Sequence, residues 1–233
     1  MQAETSTGVL NPIDALAPIA REHGALTIVD AVSSFGGQPL DVGGWAIDAC
    51  YSCTQKCLGA PSGLSPVVFS SRALERRVKC RSFYFDLQLL DDFWLKRKYH
   101  HTMSSTLVYA LYEALAIVEE EGLESRWARH ERNHHALVTG LAELGLSMLP
   151  PHGERLWTLN AVRVPDGIDE AAVRRHLLDE YNIEIGAGLG PLTGKIWRVG
   201  LMGASSSPRL VLLLLEALKS ALSPARAGPY VRA

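Results

Sequence analysis

Three residues of this sequence have types and settings that could do chemistry together. Lys56 lies in Ser52-Cys53-Thr54-Gln55-Lys56-Cys57-Leu58-Gly59-Ala60-Pro61-Ser62-Gly63, among small and polar neighbours just after an apolar run. A lysine amine becomes an imine-forming nucleophile where its surroundings favour the neutral form, and small neighbours let a planar group approach the backbone. Taken alone, a loop lysine is more often a solvated charge. Asp30 ends the apolar run 25–29 and precedes Ala31-Val32-Ser33-Ser34-Phe35-Gly36-Gly37. A carboxylate at a strand end can hold a pyridine nitrogen protonated; the plainer reading is a capping or turn aspartate. Arg198 sits between apolar residues in Gly194-Lys195-Ile196-Trp197-Arg198-Val199-Gly200. Such an arginine needs an anionic partner, and its planar fork matches a carboxylate through two hydrogen bonds. A structural ion pair would satisfy it equally.

The elements that must position these residues alternate between helical and strand patterns. Pro12 suits the first turn of a helix over 12–23, in which Ile13, Leu16, Ile19 and Ala20 recur at helical spacing before Gly24. The run 25–29 then reads as a strand, and the helix before it predicts a parallel sheet. Further strands are expected at 49–52 and 66–69, with Lys56 on the segment between them, as expected of ligand groups in such folds. A helix over 105–121 stops at Gly122, and a domain boundary is placed there. Beyond it the pattern predicts a helix at 123–144, strands near Ser147 and at 158–164, a helix at 169–181 and a strand at 182–185. A loop, a strand at 196–201 and a helix at 208–222 follow. The Ala, Pro and Arg-rich tail 223–233 reads as frayed. The expected fold class is α/β: a partial large domain with a mostly parallel sheet over 1–121, then a small α/β domain over 122–233.

Together the motifs resemble class V, fold type I aminotransferases that use pyridoxal phosphate (PLP), and most nearly the alanine-glyoxylate and serine-pyruvate group. The matching stretches are Glu4-Thr5-Ser6-Thr7-Gly8, Val29 to Gly37, Gln55-Lys56, Tyr99-His100-His101-Thr102 and Gly188 to Gly200. The resemblance implies that Lys56 forms the Schiff base with the cofactor and moves the substrate proton, and that Asp30 pairs with the pyridinium nitrogen. It implies a ring-side place for Thr5 and a phosphate contact for Gln55. Tyr99 and Thr102 would reach the phosphate of a neighbouring subunit, which implies a homodimer, and Arg198 would bind the carboxylate of the amino or 2-oxo acid. The implied reaction moves an amino group between alanine or serine and glyoxylate or pyruvate. Two alternatives are a ureidoglycine-glyoxylate aminotransferase of purine breakdown and an inactive fragment that only associates with other subunits. The family also carries an N-terminal segment with a phosphate loop and a stacking aromatic residue. The match therefore implies a C-terminal portion that is a weak enzyme by itself.

Other signals carry less. Cys50, Cys53 and Cys57 have a spacing known from metal clusters, but nothing completes a site, and the four cysteines read as reduced thiols. His130 and His134, one helical turn apart, read as part of a solvated face with Glu131, Arg132 and Asn133. The run Gly186 to Pro191 departs from a dinucleotide loop and reads as the loop that delivers Arg198. His100 and His101 read as packing and hydrogen bonding near the phosphate. No metal is expected. With 21% charged residues and a net charge of -2, no basic excess marks a nucleic-acid or membrane binder, so small molecules or copies of the chain are the expected partners. The apolar run 210–215 is too short for a span, and the polar opening lacks signal-peptide character, which suggests the cytoplasm.

Overall fold

The structure, a computed structural model, describes residues 1–223. The tail 224–233 lies outside the described residues. In chain order come a hairpin of β1 (Ala3–Glu4) and β2 (Val9–Leu10), helix α1 (Ile13–Glu22), and strands β3 (Ile28–Asp30), β4 (Ala49–Tyr51) and β5 (Val67–Phe69). Helices α2 (Ser71–Glu75), α3 (Leu87–Lys96), α4 (Ser105–Glu121) and α5 (Leu123–Glu143) follow. Strand β6 (Leu159–Arg163), helix α6 (Glu170–Tyr181), strands β7 (Gly186–Ala187) and β8 (Ile196–Gly200), and helix α7 (Pro208–Leu222) complete the described chain.

The parallel pairing expected after α1 is present between β3 and β4, with Val29 opposite Cys50 and Asp30 opposite Tyr51. Strand β5 instead runs antiparallel to β4, because the connection 52–66 contains no helix to carry a crossover. Strand β3 is shorter than the apolar run, since the Asp48 carboxylate takes the Thr27 N–H at 3.0 Å and ends the ladder there. In the C-terminal half, β6, β8 and β7 form an antiparallel sheet packed with α5, α6 and α7. The core there centres on Trp197, 1% exposed, with Leu137, Leu141, Val162, Leu177 and Leu218. Trp197 meets its one polar requirement by donating to the Glu170 carbonyl at 3.2 Å.

Several expectations need correction. The strand placed at 182–185 lies later, at β7, because Asn182 ends α6 in the left-handed conformation (φ 53°) and its N–H returns to the Leu178 carbonyl. The strand near Ser147 is a single bridge between Met148 and Val162. Pro12 precedes α1 as its N-cap, whereas Pro18 lies inside the helix. Helix α3, capped by the Asp86 carboxylate, was not anticipated, and none of its residues is fully buried. The histidines are the sharpest reversal: His130 is 0% and His134 3% exposed. They lie on the inward stripe of α5 with Arg126, Leu137 and Leu141, at spacings of three and four, and Asn133 is buried beside them, donating to Ser206 Oγ at 3.1 Å, so only Glu131 and Arg132 between them lie nearer solvent.

Candidate active site

Asp30 and Lys56 leave the same end of adjacent parallel strands. Asp30 closes β3, and its partner Tyr51 closes β4 five residues before Lys56. The two loops that follow are joined side by side. Ala31 N–H donates to the Tyr51 carbonyl at 2.9 Å, and Ser52 Oγ donates to the Ala31 carbonyl at 3.2 Å. The thiols continue the series: Cys53 Sγ reaches the Val32 carbonyl at 3.9 Å and Cys57 Sγ the Ser33 carbonyl at 3.5 Å. Small side chains are required for this approach. A Cβ on Gly37 would stand 2.7 Å from Cys57 Sγ and 2.6 Å from Thr158 Cγ2. The turn that carries Lys56 is closed by Gly59 N–H on the Lys56 carbonyl and Ala60 N–H on the Thr54 carbonyl, both at 3.0 Å. All four cysteines are free, and burial pushes the Cys57 thiol up to about 12, so it serves here as a neutral donor.

Within this frame the side chains singled out from sequence differ in how far they are engaged. Asp30 accepts from the Val32 N–H at 2.8 Å on one oxygen and from the Tyr51 hydroxyl at 2.9 Å on the other. Acceptance by Asp30 raises the Tyr51 phenol, with a smaller contribution from burial. Among the described residues, neither the Lys56 ammonium nor the exposed Gln55 amide has a hydrogen bond or ion pair. Thr5 lies in the β1–β2 turn, which the Glu4 carboxylate holds by accepting from Ser6 N–H at 2.8 Å and Ser6 Oγ at 2.6 Å. Those bonds lower the Glu4 carboxyl. Just before it, Gln2 N–H donates to the Asp30 carbonyl at 2.8 Å, which places the turn beside the Asp30 strand.

Arg198, on β8, reaches the same turn: Nη1 donates to the Thr5 carbonyl at 3.3 Å and Nε to the Ala187 carbonyl at 2.7 Å. No carboxylate pairs with Arg198 among the described residues, so the structural ion pair open to it from sequence is not made there. Tyr99 and Thr102 come together, hydroxyl to hydroxyl at 2.9 Å, with Tyr99 78% exposed. No hydrogen bond joins this pair to Asp30, Lys56 or Arg198 among the described residues. Between them His100 stacks on Phe83 at 4.5 Å, donates through Nε2 to the Phe83 carbonyl at 2.9 Å, and faces His101 Nδ1 at 2.8 Å. That bears out packing and hydrogen bonding for these histidines.

A cluster not anticipated from sequence lies behind the Lys56 turn. Arg126, 3% exposed, donates through Nη2 to the Cys57 carbonyl at 2.5 Å, through Nε to the Gly36 carbonyl at 3.1 Å and through Nη1 to Glu121 at 2.6 Å. Glu121 also receives Arg129, and the two arginines hold its carboxyl down at about 2. Arg129 Nη1 continues to the Gly203 and Ser206 carbonyls at 3.0 and 2.6 Å. His130 accepts the Gly203 N–H at 3.2 Å on Nε2 and, on Nδ1, donates to the Arg126 carbonyl at 2.8 Å. The sequence signal was an arginine four residues before one inward histidine and eight before another on a helix stripe that continues into Leu137 and Leu141.

Comparison with known proteins identifies the family. The family model Aminotransferase class-V matches residues 1–201. The (S)-ureidoglycine--glyoxylate transaminase of Bacillus subtilis is 38% identical over 98% of this chain and 60% of its own length. The alanine--glyoxylate aminotransferase of Drosophila melanogaster is 38% identical over 97% of this chain and 60% of its own. The crystal structure of an alanine--glyoxylate aminotransferase from Nostoc sp. superposes with a TM-score of 0.92 at 46% identity, covering 95% of this chain and 60% of that one. This chain thus spans about 60% of the length of the relatives it matches. With open lysine and arginine groups around a strand-end aspartate, and a family match over most of its length, the chain belongs to the class-V aminotransferases.

Proposed function

We propose that the chain serves a PLP-dependent transamination between an amino acid, alanine or serine, and a 2-oxo acid, glyoxylate or pyruvate. One observation carries it: Lys56, without a partner among the described residues, leaves the same sheet end as Asp30, while Arg198, without a counter-ion there, reaches the turn beside it. Family membership implies pyridoxal phosphate, and the donor set fits that group. Asp30 offers a carboxylate to a ring N–H, Lys56 an amine to an aldehyde, and Thr5, Gln55, Tyr99 and Thr102 hydroxyl and amide donors. When bound, pyridoxal phosphate supplies the aldehyde that joins the substrate amine and a ring that stores the electron pair left at the α-carbon. Lys56 Nζ then takes the α-proton and returns it at the other end of the transfer, while Asp30 holds the ring N–H and Arg198 fixes the substrate carboxylate.

A second reading, ureidoglycine with glyoxylate, is favoured by the 38% identity to the Bacillus subtilis transaminase. The test is an assay of the full chain with saturating PLP and glyoxylate, comparing alanine, serine and ureidoglycine as donors by glycine formed. Turnover with alanine or serine supports the proposal and turnover with ureidoglycine alone replaces it. No turnover, with an absorbance spectrum unchanged by PLP, overturns both in favour of a chain that only associates with other subunits. Arg198→Lys keeps the charge and loses the fork, so it is expected to raise KM for amino and oxo acid by about tenfold or more while PLP stays bound. Unaltered KM for both substrates removes Arg198 from the role.

A cytoplasmic homodimer is part of the same proposal, in which Tyr99 and Thr102 serve the neighbouring subunit. Exposed Tyr109, Tyr112 and Ile117 on α4 support an associating face. A division of the chain at 1–121 and 122–233 is also proposed, supported by separate core clusters around Val29 and Trp197. No helix among the described residues is long and apolar enough to cross a membrane.

A further inference from the structure

We propose that Arg126 is a positioning residue for Lys56, and that with Glu121, Arg129 and His130 it ties the Lys56 turn to the chain that leaves the Arg198 strand. The Cys57 carbonyl belongs to the residue after Lys56, and Arg126 fixes it at 2.5 Å while also holding the Gly36 carbonyl of the loop after Asp30. A single buried guanidinium thus sets the spacing of the two loops that carry the amine and the carboxylate. Its planar fork suits three acceptors in three directions, which an ammonium on a flexible stem cannot match.

The far end of the cluster is equally specific. Strand β8 carries Arg198 and ends at Gly200, and three residues later Gly203 is gripped on both sides, its carbonyl by Arg129 and its N–H by His130. Gly203 takes a positive φ of 58°, and a Cβ there would stand 3.0 Å from the Cys57 carbonyl. The chain leaving Arg198 and the carbonyl beside Lys56 are therefore in contact at one point, and Arg126 and Arg129 clamp that point through the shared Glu121 carboxylate. A buried charge held this way is costly to disturb at one partner, so small displacements of one loop are transmitted to the other. The proposal takes its catalytic meaning from the reading of Lys56 as the cofactor lysine, while its first readout is independent of that reading.

That readout is amide hydrogen exchange on the full chain without cofactor, in wild type, Arg126→Gln and Arg126→Lys. The Gly59 and Ala60 N–H groups, which close the Lys56 turn, are expected to exchange at least about tenfold faster in Arg126→Gln, while Ala31 N–H between β3 and β4 is unchanged. Arg126→Lys, which keeps the charge and is the milder change should Arg126→Gln fail to fold, should fall between. The second readout is the fraction of pyridoxyl label on the Lys56 peptide after limiting PLP and borohydride, which is expected to drop several-fold in both variants. Unchanged exchange at Gly59 and Ala60, or acceleration spread evenly over the chain, would overturn the proposal. Failure of the wild type to label Lys56 refutes the cofactor reading instead and leaves exchange to decide the positioning.

Discussion

Borohydride reduction of the PLP-treated chain is expected to leave the pyridoxyl label on the Lys56 peptide, and Lys56→Ala is expected to abolish that label and lower any turnover by at least about 10²-fold, as loss of a proton-transferring group does. The expectation rests on availability as much as on position. Lys96 and Lys98 share the Asp92 carboxylate at 2.7 and 2.8 Å, which also lowers Asp92 to about 2 through hydrogen bonds from both. Lys56 has no such partner among the described residues and stands in a turn whose backbone is fixed on both flanks. Mass spectrometry of the digested protein decides the matter. Label distributed over Lys79, Lys96 and Lys98 at the level of Lys56 would contradict the assignment.

A second large effect is expected in the pH dependence of stability. Burial lowers His130 and His134 from an ordinary value near 6.5 to about 4, outweighing the bonds each makes to the Arg126 carbonyl and to Asn160. The neighbours of His130 include Arg126 and Arg129, and those of His134 include His135, Arg155 and His152, which all disfavour the charged form; Glu121 opposes this at His130. The folded chain therefore refuses protons that the unfolded chain accepts between pH 6.5 and 4. Stability is full above that window and falls as pH drops through it, by roughly 2 kcal/mol per histidine at about pH 5 and approaching about 3 below the folded value. Glu121 adds its own loss only further down, as pH falls toward its value of about 2. Urea midpoints across this range should show the slope, and His134→Gln should remove about half of it. A midpoint independent of pH between 7 and 5 would show that these rings are hydrated in solution.

Much of the fold is legible where local signals agree. Helix α4 spans its expected residues because the apolar spacing, the Ser104 cap and Gly122 coincide. Helix α7 follows likewise from the Ser207 cap, Pro208 and the apolar stripe. Helix α3 escaped notice because none of its residues is fully buried, so its half-buried apolar side chains carry only a weak burial pattern against which to read it. Burial of His130 and His134 was missed because residue type outweighed spacing: Leu137 and Leu141 continue their stripe. At the site, Asp30 and Lys56 could be placed because strand ends can be read from short apolar runs. The carbonyls that take Ser52, Cys53 and Cys57 could not, since register between two loops is set by contacts 21 to 24 residues apart. Arg126 was further from reach, its partners lying 69 and 90 residues away.

The bond between Arg198 and the Thr5 carbonyl spans 193 positions of the chain. Closing so long a loop costs conformational entropy that only the packed halves can offset, so this contact belongs among the last to form. During synthesis Lys56 leaves the ribosome long before Arg198 exists, and the β1–β2 hairpin must wait for Arg155 and Leu156, on which it docks. On the roles proposed for these two residues, Lys56 is present in the growing chain before Arg198, so the order of assembly would separate reactivity from selectivity in time.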